Sequence, residues 1–205
     1  VKDFRSDAWE NFSNIVGNTP TLSFTRTEPD QAAPSATSPT SYADNTGSGI
    51  SGDLAKYGFA NNVPPSLINT ESGGNFGATN DVTGSGGKKG HFGILQFGQD
   101  RLLDAKRAGV IPEDMTPEQF TRSKEAQVAV SNWHFSDIDK RIQSNGYDRY
   151  LGMNVGGKPL TMNGMRAIAH LGGFGGLSQF LSSGGSYNPA DAYGTSLAKY
   201  GRIHS

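Results

Sequence analysis

The sequence predicts a mainly helical protein with a small β-hairpin or tight turn beside a cleft, preceded by an extended N-terminal arm. Three observations lead there. Apolar residues recur at helical spacing through most of the chain after residue 50, as with Val130, Trp133, Ile138 and Ile142. Helix start and stop signals bracket such stretches, with Thr116, Pro117 and Gln119 opening one and Asn145 and Gly146 closing it. The one strongly β-prone run, HFGILQF, is short and follows the glycine-rich GSGGKKG.

Residues 1–50 form the arm and residues 51–205 the folded domain. In the arm, DAWENFSNIVG places Trp9, Phe12 and Ile15 or Val16 at helical spacing. This reads either as a short docking helix or as a helix packing back on its own domain. Residues 18–52 are dominated by Thr, Ser, Pro, Ala, Asn, Asp and Gly without apolar periodicity, as expected of a linker or a strap. In the domain, helices are expected over 54–60 and 65–72. A third follows Gly98 and carries Leu102, Leu103 and Ala108, ending at Gly109. The next runs from the Thr116 cap to about Ser144. Thr161 caps a helix with Met162, Met165, Ile168 and Ala169 on one face. The last starts at Asn188 and Pro189 and reaches about Tyr200.

Composition narrows the function. The chain has 205 residues, 34% of them hydrophobic, enough for one core of moderate size. Its 18 Lys and Arg nearly balance 19 Asp and Glu, which argues against nucleic acid or an anionic membrane as the main partner and suits a neutral polymer. The absence of cysteine excludes disulfides and thiolate metal sites without fixing the compartment. No apolar run is long enough for a membrane span. The first residues lack the regions of a signal peptide, although a start at Val1 allows for a removed leader. His91, His134, His170 and His204 have no spacing that puts two on one helical face, which argues against a metal site.

Within PPSLINTESGGNF, Pro64 and Pro65 suit a helix start, and Ser72, Gly73 and Gly74 a stop. Leu67 and Glu71 are spaced i, i+4, so the carboxylate shares the face that Leu67 turns inward. Partial burial and the negative end of the helix dipole both favour its protonated form. Such a carboxyl can protonate a leaving oxygen, as glycosidic cleavage requires. The plainer alternative is a helix-end Glu paired with a Lys or Arg. Lys88 and Lys89 lie in a loop without the pattern of a phosphate-binding loop, and that loop reads as a lid over a groove. Tyr147, Tyr150 and Trp133 are candidates for stacking on sugar rings, with Trp133 better suited to the core.

The ordered set KYGFANNVPPSLINTESGGNF, GHFGILQF and AHLGGFGG, over roughly residues 50–185, resembles the lysozyme-like superfamily, most closely soluble lytic transglycosylases and goose-type lysozymes. The resemblance implies an α+β lysozyme-like fold and cleavage of peptidoglycan glycan strands, with no cofactor. Glu71 matches the catalytic acid, and Ser72 a serine that helps hold that acid or the sugar. Gly93 and Gln96 match the GLMQ segment along the glycan groove. His170 and Leu171 fall where the family usually has a tyrosine, hydrogen-bonded to the catalytic Glu, and an asparagine. This departure leaves open whether His170 takes the orienting role. Such an enzyme acts at the bacterial cell wall or periplasm, and the arm suits tethering to a phage virion or a secretion assembly. A lytic transglycosylase needs one carboxylate, whereas a hydrolytic relative needs a second, for which Asp81 and Asp100 are the candidates. Asp81 also reads as a turn former and Asp100 as a first-turn helix residue. A third possibility is a non-catalytic wall-binding or structural virion component.

Overall fold

A computed structural model describes residues 54–83 and 89–205. The segments read as an arm, as a docking or back-packing helix at Trp9, Phe12 and Ile15 or Val16, as a linker over 18–52 and, for the most part, as a lid at GSGGKKG lie outside the described residues. The described chain is mainly helical, with a small antiparallel sheet. After a 3-10 turn at Leu54–Tyr57, its α-helices are α1 (Pro65–Ser72), α2 (Gln99–Arg107), α3 (Pro117–Arg122), α4 (Lys124–Ser144), α5 (Met162–Ser182) and α6 (Leu197–Ile203). Strands β1 (Thr79–Thr83), β2 (Lys89–Phe92) and β3 (Phe97–Gly98) form the main sheet in that order, and β4 (Asn154–Val155) pairs with β5 (Lys158–Pro159).

Several boundaries follow the expected chemistry. Helix α1 begins with Pro65 after Pro64, and Gly73 closes it in the left-handed conformation at φ 62°. Thr116 and Gln119 form the reciprocal capping box of α3. Thr161 caps α5 through the Gly164 amide.

Other expectations are corrected. The helix expected from Thr116 to Ser144 is two, because Ser123 leaves helical geometry at φ −102°, ψ 107° and caps α4 with its own side chain. The last helix starts at Leu197 rather than Asn188. Ser196 is its cap, and the Asn188 side chain accepts the Ala198 amide from outside the helix. The stretch expected to be a helix at 54–60 is only the 3-10 turn. Asp81, expected in a turn, is exposed on strand β1, because Thr79 and Asn80 pair with Phe92 and His91.

Helix α4 runs through the core and buries Val130, His134, Phe135, Ile138 and Ile142. Asp139 on it accepts two hydrogen bonds from Arg166 of α5, at 2.8 and 2.9 Å, and one from Asn62 at 2.8 Å. That bidentate pair fixes the two long helices and the lead-in to α1 in one register. Helix α5 breaks at Gly173, whose φ 69° and ψ 171° are not helical. Helix α6 lies close on its first half: a Cβ on Gly201 would stand 2.7 Å from Ile168 Cδ1. No helix among the described residues is long and apolar enough to cross a membrane.

A buried amide on α4 ties the sheet to these helices. Gln127 Oε1 accepts the Ile94 amide at 2.7 Å, and its Nε2 faces the carbonyls of Phe76, Phe120 and Thr121 at 3.0, 3.0 and 3.1 Å. We expect Gln127→Leu to lower unfolding stability by about 2–4 kcal/mol, because the Ile94 amide and the Phe76 carbonyl, among other backbone groups, lose this side chain as a partner. Urea denaturation checks this, and a loss below about 1 kcal/mol would contradict it.

Candidate active site

The turn between β2 and β3 builds one wall of a cleft. Residues Gly93, Ile94, Leu95 and Gln96 close it through the Gln96 amide and the Gly93 carbonyl at 3.1 Å. Gly93 sits at φ 77°, and a Cβ there would stand 2.4 Å from Gln127 Oε1. Its part is therefore to let the turn approach α4, with the Gly93 amide donating to Ala78 at 2.8 Å. Gln96 adopts a left-handed φ of 49°, the one such non-glycine among the described residues. Its Nε2 donates to the Gly93 and Ala78 carbonyls at 2.8 and 3.1 Å. Since carbonyls only accept, Gln96 Oε1 is left to accept from Asn80 Nδ2 at 2.8 Å. Asn80 Oδ1 in turn takes a proton donor from His91 Nδ1 at 3.0 Å. The polar wall is thus oriented by backbone carbonyls.

Ser72 joins α1 to the same turn. Its Oγ donates to the Ile94 carbonyl at 2.8 Å and accepts the Gly74 amide at 3.2 Å. Ser72, expected to help hold the acid or the sugar, thus staples the helix end from which Glu71 projects.

Glu71 lies in the cleft with Asn80, His91, Gln96, Leu171 and Tyr200 in the surrounding walls. Its side chain is only 10% exposed, although α1 is a short surface helix. Tyr200 of α6 donates its hydroxyl to Glu71 Oε1. His170 Nε2 faces the same oxygen at 3.5 Å. The cleft continues past His91, Gln96 and Leu171 into a second limb lined by Asp100, Arg101, His170 and Phe174. The break at Gly173 ends the first half of α5 just after His170 and Leu171; Leu171 lines both limbs and His170 lines the second.

Behind His170 stands a row of polar side chains. His170 Nδ1 lies 3.1 Å from His134 Nε2, and Arg101 Nε donates to His134 Nδ1 at 2.9 Å. Asp137 accepts from Arg101 and Arg141 at 2.9 and 3.1 Å. Burial, followed by the positive charge of Arg101, holds His134 well below the ordinary imidazole value. Burial also lowers His204, against the opposing effect of Glu71. His204 contacts Ser66 Oγ at 2.9 Å through Nδ1 and sets its ring edge-on to Tyr200 with centroids 4.6 Å apart.

Of the residues read from the sequence, Glu71, Gln96 and His170 converge on the cleft, while Ser72 and Gly93 support it from behind. Asp81 stands outside the walls around Glu71, and Asp100 lines the second limb. Tyr147 stacks on Phe174 at 5.7 Å and meets Ser178 Oγ at 2.7 Å, and Trp133 lies under the Arg101 guanidinium at 3.9 Å. Neither lines the Glu71 limb. Sequence reasoning missed Tyr200, His134, Arg101 and Asp191. The carboxylate of Asp191 belongs to the Glu71 cleft, where its Oδ1 accepts the Tyr193 and Thr195 amides at 2.9 and 2.8 Å. His134 had a legible signal, since it falls midway between Val130 and Ile138 on an apolar helix stripe. The two histidines meet from different helices, which same-helix spacing cannot register.

Comparison with protein-family models, curated proteins and solved structures finds no match to this chain.

His134 and His204 have depressed folded-state values, so the unfolded chain binds more protons once pH falls through the ordinary imidazole range. Their contribution to stability is complete above about pH 6.5 and is lost as pH falls below it. We expect His134→Gln to reduce the slope of stability against pH there by up to about 1.4 kcal/mol per pH unit, measured by urea unfolding between pH 7 and 5. An unchanged slope would refute the assignment.

Proposed function

We propose that the chain is a peptidoglycan lytic transglycosylase, cleaving the β-1,4 bond between N-acetylmuramic acid and N-acetylglucosamine with Glu71 as its general acid and base. The observation that carries this reading is the setting of Glu71: a nearly buried carboxyl group in an open cleft, held by the Tyr200 hydroxyl and faced by His170. Protonated, it donates to the glycosidic oxygen as the C1–O4 bond breaks. As a carboxylate it then takes the proton of the sugar's own 6-hydroxyl, whose oxygen bonds to C1 and closes the 1,6-anhydro ring. No water enters the products, and one carboxyl group serves both proton transfers.

The order of the three motifs supports the substrate class, since it resembles the lysozyme-like enzymes. Action at the bacterial cell wall, from a phage virion or a secretion assembly tethered by the arm, follows from the same reading. Hydrolysis is the second reading, and Asp191 in the same cleft favours it over either Asp81 or Asp100. Its Oδ1 is engaged by two backbone amides, which fits a loop-forming role better than activation of water.

Mass analysis of muropeptides released from purified peptidoglycan tests the proposal. The wild type is expected to leave anhydro ends, one water lighter than hydrolysed ends, and Glu71→Gln to release at least about 100-fold less. Hydrolysed ends that disappear in Asp191→Asn would select the second reading. No release by the wild type would leave a non-catalytic wall-binding component.

A further inference from the structure

We propose that Arg101 is a positioning residue that acts through His134 to fix His170 in the tautomer presenting its Nε2–H to Glu71. The argument starts at the end of the row where no choice exists. A guanidinium nitrogen only donates, so Arg101 Nε at 2.9 Å requires a lone pair on His134 Nδ1. Burial keeps His134 neutral, with Arg101 and Arg141 acting in the same direction, and its single proton therefore sits on Nε2. That N–H points at His170 Nδ1 across 3.1 Å, which must accept. A neutral His170 then carries its own proton on Nε2, the nitrogen 3.5 Å from Glu71 Oε1. This last separation exceeds a formed hydrogen bond and leaves room for the contact to tighten when substrate fills the cleft.

Arg101 is well placed for this task. Asp137 holds one of its terminal nitrogens at 2.9 Å, Asp104 approaches another at 3.8 Å, and its plane lies 3.9 Å over Trp133. The consequence for chemistry rests on the proposed role of Glu71. In the fixed tautomer, His170 offers a donor to the carboxylate formed after proton transfer. In the opposite tautomer, its Nε2 lone pair would accept from the protonated carboxyl and compete with the glycosidic oxygen.

The test is the long-range proton–nitrogen correlation spectrum of the histidine rings in uniformly labelled protein at pH 7. Signals are assigned by their loss in His134→Gln and His170→Gln. Both rings of the wild type are expected in the Nε2–H form, with Arg101→Met giving mixed tautomers at His134 and Arg101→Lys, which keeps a donor, restoring the single form at least in part. In turnover, Arg101→Met is expected to lower kcat about tenfold at unchanged KM. An Nδ1–H form or an imidazolium on either ring of the wild type overturns the proposal, as does an unaltered spectrum in Arg101→Met. The wild-type spectrum needs no substrate, and through-bond correlation of each ring to its own backbone assigns it where a variant fails to fold. A chain that releases no muropeptides fails the function proposed above while its tautomers are still read. A chain that is active with the opposite tautomer fails only the present inference.

Discussion

The cleft depends on one buried amide. Gln127 receives the Ile94 amide on its oxygen and turns its nitrogen toward three carbonyls from two other segments. The turn after β2 is held against α4 by this side chain and against α1 by Ser72, whose hydroxyl donates to the Ile94 carbonyl. Gln96 and Glu71 therefore face each other across the cleft because their supports share residue 94. Hydrogen bonds in a low-dielectric interior are individually modest in net terms, yet leaving these groups without partners is costly. That asymmetry gives the turn a single position.

While the guanidinium of Arg101 stands beyond two rings and pairs with Asp137, a phenol and an imidazole face the carboxyl oxygen of Glu71. Tyr200 reaches it because α6 packs tightly on α5 through Gly201, and His204 braces the tyrosine ring from the same helix. These two neighbours of the carboxyl group, His170 and Tyr200, thus come from α5 and α6, while Glu71 itself comes from α1.

Much of the helical framework was legible because its signals are local. Pro65 with Gly73, the Thr116 and Gln119 box, and the Thr161 cap each satisfy helix-end groups within a few residues. The errors also have local causes. Ser123 is a second cap inside an apparently continuous helical pattern, and β1 has too little apolar alternation to read as a strand without its partner β2. At the candidate site, Glu71 was legible from the i, i+4 relation to Leu67, and the glycine-bounded turn from HFGILQF. His170 was marked by position alone, and its neighbours remained invisible.

By itself, then, the sequence determined the helical class, the inward face of the helices around Val130 and Met165, and the placement of Glu71 on the face shared with Leu67. Those properties follow from periodicity and capping, which act over three or four residues. Only the tertiary structure decided what surrounds that carboxyl group. Tyr200 lies 129 positions away along the chain, and the His134–His170 and Arg101–His134 contacts span 36 and 33 positions. Pairings at such separations are set by how α4, α5 and α6 pack and by the break at Gly173, and no residue encodes them alone.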